Sequence, residues 1–563
     1  MIFRLIPFYF AVLMAIGGAA SAAKPNVVLI ITDDQGYGDI ESFEALMRSE
    51  FVRSSIDELF RRSVRLTDFH VDPTCSPTRA ALMSGRYSTN AGVWHTICGR
   101  SIMDRDELTL AEIFKASGYR TGMFGKWHLG DAAPCRPQDQ GFDVAIHHGG
   151  GGVGQTPDYW GNDYFDDTYW HNGETKKHEG YCTDVWFEEA AKFIDDNGER
   201  PFFVYLSTNA PHGPYLVDEK YSDRYSEQPN PTDKFLGMIT NIDENVGKLV
   251  TKLRDDGLEE NTVFIFMTDN GTAQGSQVFN AGMRGKKGSE YDGGHRVPFY
   301  VYWPKGNLTG GRDVTQLSAH IDVRPTLVEL CELKEPNGPA TDGTSLVKAL
   351  RGDVNTLRDR TLLVHSQRIL DPEKWRKSAV MTERWRLING KELYDIKADP
   401  GQKKDLAAAN ATVVESLRNS YDEWWESLQP AIKRTVYVQI GSEAETRTRL
   451  TAHDWLVAGA TPWHQNAIRS GAPRTGPWAI EVASEGKYEI VVSRWPEFTK
   501  RPMDAKSVRL TIQGQEQSVS LDSADTSARF ELELKRGQTM LQTFLESNDG
   551  KKRGAYYAYV RKI

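Results

Sequence analysis

Five short apolar runs, spaced along the first 303 residues, constrain this chain more than any other feature. They are Asn26–Thr32, 119–124, Phe202–Ser207, Thr262–Thr268 and 299–303. Rich in β-branched and aromatic residues and lacking a strict polar alternation, they read as strands buried on both faces, the pattern of a parallel sheet. Helical periodicity lies between them. Leu236, Ile239, Ile242, Val246, Leu249 and Leu253 recur every three or four residues and stop at Gly257. Strands alternating with helices predict an α/β fold, an open sheet covered on both sides. In such sheets ligands sit beyond the carboxyl ends of the strands. Those ends carry Asp33-Asp34, Lys126-Trp127-His128, Pro211-His212 and Asp269-Asn270.

Past residue 377 the rhythm changes. Segments 379–381, 385–388 and 392–394 read as short strands and 413–425 as a helix, which predicts a small α+β subdomain over 378–430. From 431 to 563 the chain turns strand-rich, with alternating runs at Trp478–Val482, 487–493, 507–513, Ala528–Leu534 and 555–560. That is the pattern of a β-sandwich. Trp455, Trp463, Trp478 and Trp495 fall in this part, where large aromatics serve as core or as a sugar-stacking face. No acid, base or metal cluster stands out among them, so an accessory domain is expected, not a second active site.

The first 22 residues read as an export signal. Arg4 opens it, 5–16 is apolar, and Ala20-Ser21-Ala22 resembles a cleavage site. The run is too short to span a bilayer comfortably, so the expectation is a periplasmic or extracellular protein without a membrane span. Five cysteines, Cys75, Cys98, Cys135, Cys182 and Cys331, are too few and odd in number for a disulfide framework, and any pairing among the last four is left open. A net charge of −9 disfavours nucleic acid as a partner.

The passage Cys75-Ser76-Pro77-Thr78-Arg79 resembles the signature of the type I sulfatases, in which such a cysteine is oxidised to formylglycine. Alone, a structural cysteine before a helix would explain it as well. Yet Asp33-Asp34-Gln35-Gly36, Gly125-Lys126-Trp127-His128, Ala210-Pro211-His212, Asp269-Asn270-Gly271 and Gly285-Lys286-Lys287-Gly288 are similar to other blocks of that family, in its order. The resemblance covers about 24–428. It implies an alkaline-phosphatase-like mixed sheet sandwiched by helices over 23–377, to which the 378–430 subdomain and the extra all-β part are appended.

The residues themselves agree with that resemblance. Asp33, Asp34, Asp269 and Asn270 are hard oxygen donors at two strand ends, suited to Ca2+ or Mg2+ far better than to zinc. Taken singly, an Asp pair at a strand end is more often a cap or turn. The resemblance favours Ca2+, adds residue 75 as a ligand, and implies a formylglycine-generating maturation enzyme as a partner. It also implies roles for Lys126, His128, His212 and Lys287 around a sulfate ester, with Arg79 one helical turn from residue 75. An aldehyde at 75 would hydrate to a strong nucleophile. His212 would then protonate the leaving alcohol, Lys126 and Lys287 would neutralise sulfuryl charge, and His128 would take the proton that lets sulfate depart. Asp292-Gly293-Gly294-His295-Arg296 departs from the family's usual Glu-Gly-Gly-Ile-Arg, which suggests that His295 alters the pocket rim.

The substrate expected is a sulfated carbohydrate. Segments 92–96 and 158–164, with His95 and Asp158, combine aromatic and hydrogen-bonding groups suited to sugars, though ordinary packing explains them equally. Three Asn-x-Ser/Thr sequons, at Asn270, Asn307 and Asn410, are no enrichment, and a bacterial export route is favoured over a lysosomal one. Two competing readings are a phosphomonoester or phosphonate hydrolase and a non-catalytic glycan-binding protein. Position 75 is neither Ser nor Thr, against the first; the intact Lys126, His128, His212 and Lys287 speak against the second.

Overall fold

The computed structural model describes residues 24–40 and 54–563. The expected export signal therefore lies outside the described residues. Among them no helix is long and apolar enough to cross a membrane.

A ten-stranded mixed sheet organises the larger part. Its order is Asp313–Val314, Val64–Leu66, Phe299–Tyr302, Thr262–Thr268, Asn26–Thr32, Phe202–Ser207, Arg120–Lys126, Val144–His148, Thr168–His171 and Glu174–Lys177. The Asn26–Thr32 strand is central, fully buried and parallel to both neighbours. Its pleat sends Val27, Leu29 and Ile31 to one core and Val28 and Ile30 to the other. The first core is closed by helices Cys75–Ser84, Leu110–Ala116 and Val323–Leu330, the second by Cys182–Asp195 and Thr232–Asp255. Truncating Leu29 or Ile30 to alanine would remove about 2–5 kcal/mol of stability, since neither face can relax into solvent. The run at 299–303 departs from expectation: Phe299–Tyr302 pairs antiparallel to Thr262–Thr268. An apolar run buried on both faces carries no information on direction.

A four-stranded antiparallel sheet, Leu362–His365, Ser378–Met381, Trp385–Ile388 and Glu392–Asp395, packs under helix Ala411–Ile432. Its first strand lies upstream of the expected boundary at 378.

The remainder forms two sheets around one core. One runs Val438–Ile440, Trp478–Val482, Gly537–Ser547, Ala505–Ile512 and Gln515–Ser520; the other runs Arg447–Thr451, Tyr557–Lys562, Gly486–Ser493 and Ala528–Leu534. Ala528–Leu534 alternates buried and exposed residues along its whole length, as a sandwich strand must. Trp455 and Trp478 are buried in that core, Trp495 lies at its edge, and Trp463 is exposed. The same cluster includes Ile102, Ala132 and Cys135, so this core is shared with the larger part. All five cysteines are free thiols and buried.

Candidate active site

The carboxyl ends of four parallel strands meet at one edge of the sheet. Asn26–Thr32 delivers Asp33 and Asp34, Arg120–Lys126 delivers Lys126 and then His128, Phe202–Ser207 leads to His212, and Thr262–Thr268 delivers Asp269 and Asn270. Asp34 and His128 both adopt left-handed backbone conformations, with φ of 72° and 60°. Aspartate and histidine adopt this conformation more readily than most residues, and here it turns the chain back at the strand ends. Gly125 makes the approach of Lys126 feasible: a Cβ at that position would lie 1.9 Å from the Ser207 carbonyl oxygen.

Cys75 opens the fully buried helix Cys75–Ser84. The helix N-terminus carries partial positive charge, so an anionic group at residue 75 would be favoured. The Cys75 Sγ and one oxygen each from Asp33 and Asp269 lie within 4.8 Å of one another. Lys126 Nζ stands 2.6 Å from Asp33 Oδ2, both side chains without solvent exposure. Asp34 accepts from Asn270 Nδ2 at 2.9 Å and from Lys287 Nζ at 2.5 Å. Burial alone would raise the Asp34 pKa, but Lys287 and His212 hold it well below the usual carboxylate range. Asp269 moves the other way, pushed up to about 7 by burial and by the neighbouring Asp33.

Two oxygens in this nest, Asp33 Oδ1 and Asn270 Oδ1, are buried and accept no hydrogen bond. Buried acceptors are rarely left unpaired. Crowded carboxylates with orphaned oxygens, all hard donors, form a group able to hold a divalent cation of the Ca2+ or Mg2+ type.

Arg79, expected one helical turn from residue 75, is fully buried. Its guanidinium reaches Asp269 Oδ2 at 2.9 Å, the Lys126 carbonyl at 3.2 Å and the Ser207 hydroxyl, so it orients Asp269.

Backbone contacts set the proton positions on three histidines. His128 lies with Nε2 2.9 Å from the Thr96 carbonyl, so that nitrogen carries the hydrogen and Nδ1 presents a lone pair to Cys75 Sγ at 3.5 Å. Burial and the positive charge of Lys126 keep this ring neutral, its pKa well below the ordinary histidine value. His212 donates from Nδ1 to the Gly213 carbonyl at 2.7 Å, which turns Nε2 towards Asp34, 3.8 Å away. His95 is the converse: its Nδ1 accepts from the Thr96 amide at 2.7 Å, so Nε2 is the donor.

Asp158 is engaged within its own loop. It is buried, accepting from the Gly154 and Tyr159 amides and from Asn162, and it braces its own loop. An Asp followed by aromatics offers many local donors, and these win over a ligand. His295 is likewise not at a rim: fully buried, its Nδ1 lies 2.9 Å from His70 Nδ1. Sequence reasoning missed His453. It belongs to the β-rich part, is buried, and its ring centroid lies 6.1 Å from that of His128. His453 Nδ1 contacts Asp454 at 2.7 Å, and although burial opposes it, Asp454 raises its pKa. A lone His-Asp pair in a strand-rich segment gives no signal of this proximity.

Comparison with known proteins follows this geometry. The family model described as Sulfatase matches residues 25–333, and that described as N-sulphoglucosamine sulphohydrolase, C-terminal, matches 286–426. Human arylsulfatase A is 28% identical over 474 residues, covering 71% of this chain and 88% of that protein. The dog N-acetylgalactosamine-6-sulfatase is 30% identical over 379 residues, 62% of this chain and 70% of the relative. The crystal structure of Ps i-CgsB in complex with k-i-k-neocarrahexaose superposes with a TM-score of 0.64 at 29% identity, covering 71% of this chain and 92% of that one. A family model spanning more than half of its residues, carried on the mixed sheet described above, makes this chain a member of the sulfatase family and a sulfuric ester hydrolase.

Proposed function

We propose that this sulfatase acts on sulfate monoesters of a carbohydrate, with residue 75 carried as formylglycine and Ca2+ held by Asp33, Asp34, Asp269, Asn270 and residue 75. The observation that carries the reading is the pairing, around residue 75, of an imidazole nitrogen free to act as base with a carboxylate nest that leaves two oxygens unpaired. Four protein side chains plus residue 75 supply more oxygen donors than the water-rich shell Mg2+ prefers, which favours Ca2+. The relative named for N-acetylgalactosamine 6-sulfate and the neighbour bound to a neocarrahexaose support a sugar as the substrate class.

The dication supplies Lewis acidity and positive charge beside residue 75 and the sulfuryl oxygens. As an aldehyde hydrate, residue 75 offers one hydroxyl to attack sulfur and a second whose proton can leave afterwards. The chain's own groups do the rest. Lys126 and Lys287 face the developing charge on the sulfuryl oxygens. His212 keeps its Nδ1 hydrogen on the Gly213 carbonyl and, once Nε2 is protonated as well beside Asp34, gives that second proton to the ester oxygen of the departing alcohol. His128 accepts the remaining hydroxyl proton at Nδ1 while its Nε2 stays bonded to the Thr96 carbonyl. Arg79 holds Asp269 in position throughout.

The same reading divides the chain into a leader at 1–22, a catalytic part at 23–377, a subdomain at 378–430 and a β part at 431–563, with export to the periplasm or exterior and maturation by a formylglycine-generating enzyme. The test is release of sulfate from p-nitrophenyl sulfate and from sulfated oligosaccharides, beside phosphate and phosphonate esters of the same alcohols. Preference for the sulfates is expected. An enzyme that turned over the phosphorus esters and left the sulfates intact would overturn the reading.

A further inference from the structure

The β-rich part, beyond the reach of either family match, packs against one loop that follows the Val144–His148 strand. Residues 151–158 are all buried, and their amide and carbonyl groups pair with the segment 462–465. Gln155 and His464 form an antiparallel bridge, the Thr156 amide donates to the Trp463 carbonyl at 2.8 Å, and the Gln465 amide donates to the Gly154 carbonyl at 3.0 Å. Gln465 Nε2 adds bonds to the Gln155 and Tyr159 carbonyls at 3.2 and 3.1 Å.

This loop runs from His212 to His464. A methyl group on Gly152 would sit 3.4 Å from His212 Nδ1, and one on Gly154 would sit 3.4 Å from His464 Nε2. The two glycines are separated by Val153 alone, so at most about 7 Å of backbone lies between these contacts. His464 Nδ1 accepts from the Asn466 amide at 3.1 Å, which leaves the hydrogen on Nε2, the nitrogen that lies against Gly154. Trp463 stands edge-on to His464, ring centroids 5.4 Å apart, and is 39% exposed. Its companions Trp455, Trp478 and Trp495 are buried, so packing in the sandwich does not account for it.

Position decides what this pair is for. The ester oxygen of a bound substrate must lie against His212, so whatever that oxygen belongs to extends along the His212 side of the cavity. On that side the 151–158 loop leads from His212 to His464, with Trp463 beside it. We propose that Trp463 and His464 form a carbohydrate subsite, the indole face stacking on a pyranose ring adjoining the sulfated residue and His464 Nε2 donating to one of its hydroxyls. The subsite rests on the carbohydrate-sulfatase reading above. It makes the β-rich part a determinant of substrate choice that a small aryl sulfate never meets.

Trp463→Ala and His464→Asn test it on the full-length enzyme. Both keep the main-chain contacts to the loop, and asparagine keeps the helix cap that His464 provides to Gln465–Arg469. The probes are p-nitrophenyl sulfate and whichever of the carrageenan, chondroitin and heparin oligosaccharides wild type turns over fastest. Expected is a fall of about tenfold in kcat/KM for the oligosaccharide with Trp463→Ala, a smaller fall with His464→Asn, and aryl sulfate turnover within about twofold of wild type. Equal losses on both probes would make the pair structural and overturn the proposal; unchanged oligosaccharide turnover would overturn it too. Wild type that hydrolyses the aryl sulfate and none of the oligosaccharides would instead overturn the carbohydrate reading itself.

Discussion

His128 Nδ1 faces Cys75 Sγ across 3.5 Å while the opposite nitrogen of the same ring is held by the Thr96 carbonyl. A ring fixed in this way has one protonation pattern and one orientation, so its basic nitrogen serves residue 75 and nothing else. Replacing His128 with alanine should lower kcat by about 10²–10⁴, the usual worth of a positioned general base, with KM changed far less. Steady-state kinetics on an aryl sulfate checks this. A fall confined to KM would mean that His128 binds substrate and moves no proton.

Gly151 supports the same ring from behind. A Cβ there would lie 2.2 Å from His128 Cε1, too close for any packed contact. Gly151→Ala should therefore displace the imidazole and reduce kcat at least about tenfold, since a misplacement near 1 Å is that costly, while thermal stability changes little. The kinetic constants and melting temperature of this one variant suffice. Full activity in Gly151→Ala would show that the ring has room the structure does not allow it.

The carboxylate nest gives a prediction independent of turnover. Adding Ca2+ to chelated protein should raise the melting temperature in proportion to the logarithm of its concentration, about 2.7 kcal/mol at a hundred times Kd. Asp269→Ala should abolish that rise as well as activity, because it removes the carboxylate that Arg79 orients. A calcium-dependent shift that persists in Asp269→Ala would place the ion elsewhere.

Stability should also respond to pH through a buried histidine outside the carboxylate nest. His365 is buried, donates from Nε2 towards Thr89 Oγ1 at 2.7 Å and accepts at Nδ1 from Gln367 at 3.1 Å. Burial depresses its pKa from 6.5 to about 4. Between those values the unfolded chain binds the proton and the folded one does not, so stability is full above pH 6.5 and drops as pH falls towards 4, by at most about 1.4 kcal/mol per unit. His365→Gln should make the melting temperature less sensitive to acid between pH 6.5 and 5 than wild type. An identical acid slope in both proteins would contradict the assignment.

Much of this arrangement was legible in the residues. Asp33-Asp34, Lys126, His212 and Asp269-Asn270 could be placed at strand ends because apolar runs announce buried strands and the parallel rule puts their carboxyl ends together. Strand direction was not, as Phe299–Tyr302 illustrates: an all-buried run reads the same either way. The partners of Asp158 and Arg79, and the presence of His453, were not legible, and they share a cause. Asp158 spends its oxygens on neighbouring amides, Arg79 is captured by Asp269, and His453 reaches His128 from more than 300 residues along the chain. Each is decided by competition among local partners or by long-range packing, and neither leaves a mark on the pattern of a single segment.

The central claim is that residue 75 acts as formylglycine, and peptide mass spectrometry of an active preparation tests it most directly. The tryptic peptide containing Cys75-Ser76-Pro77-Thr78-Arg79 is expected to have lost the thiol sulfur and gained an aldehyde oxygen, in a fraction that rises and falls with specific activity when the maturation enzyme is supplied or withheld. A fully active preparation in which every copy of that peptide still carries cysteine would contradict it.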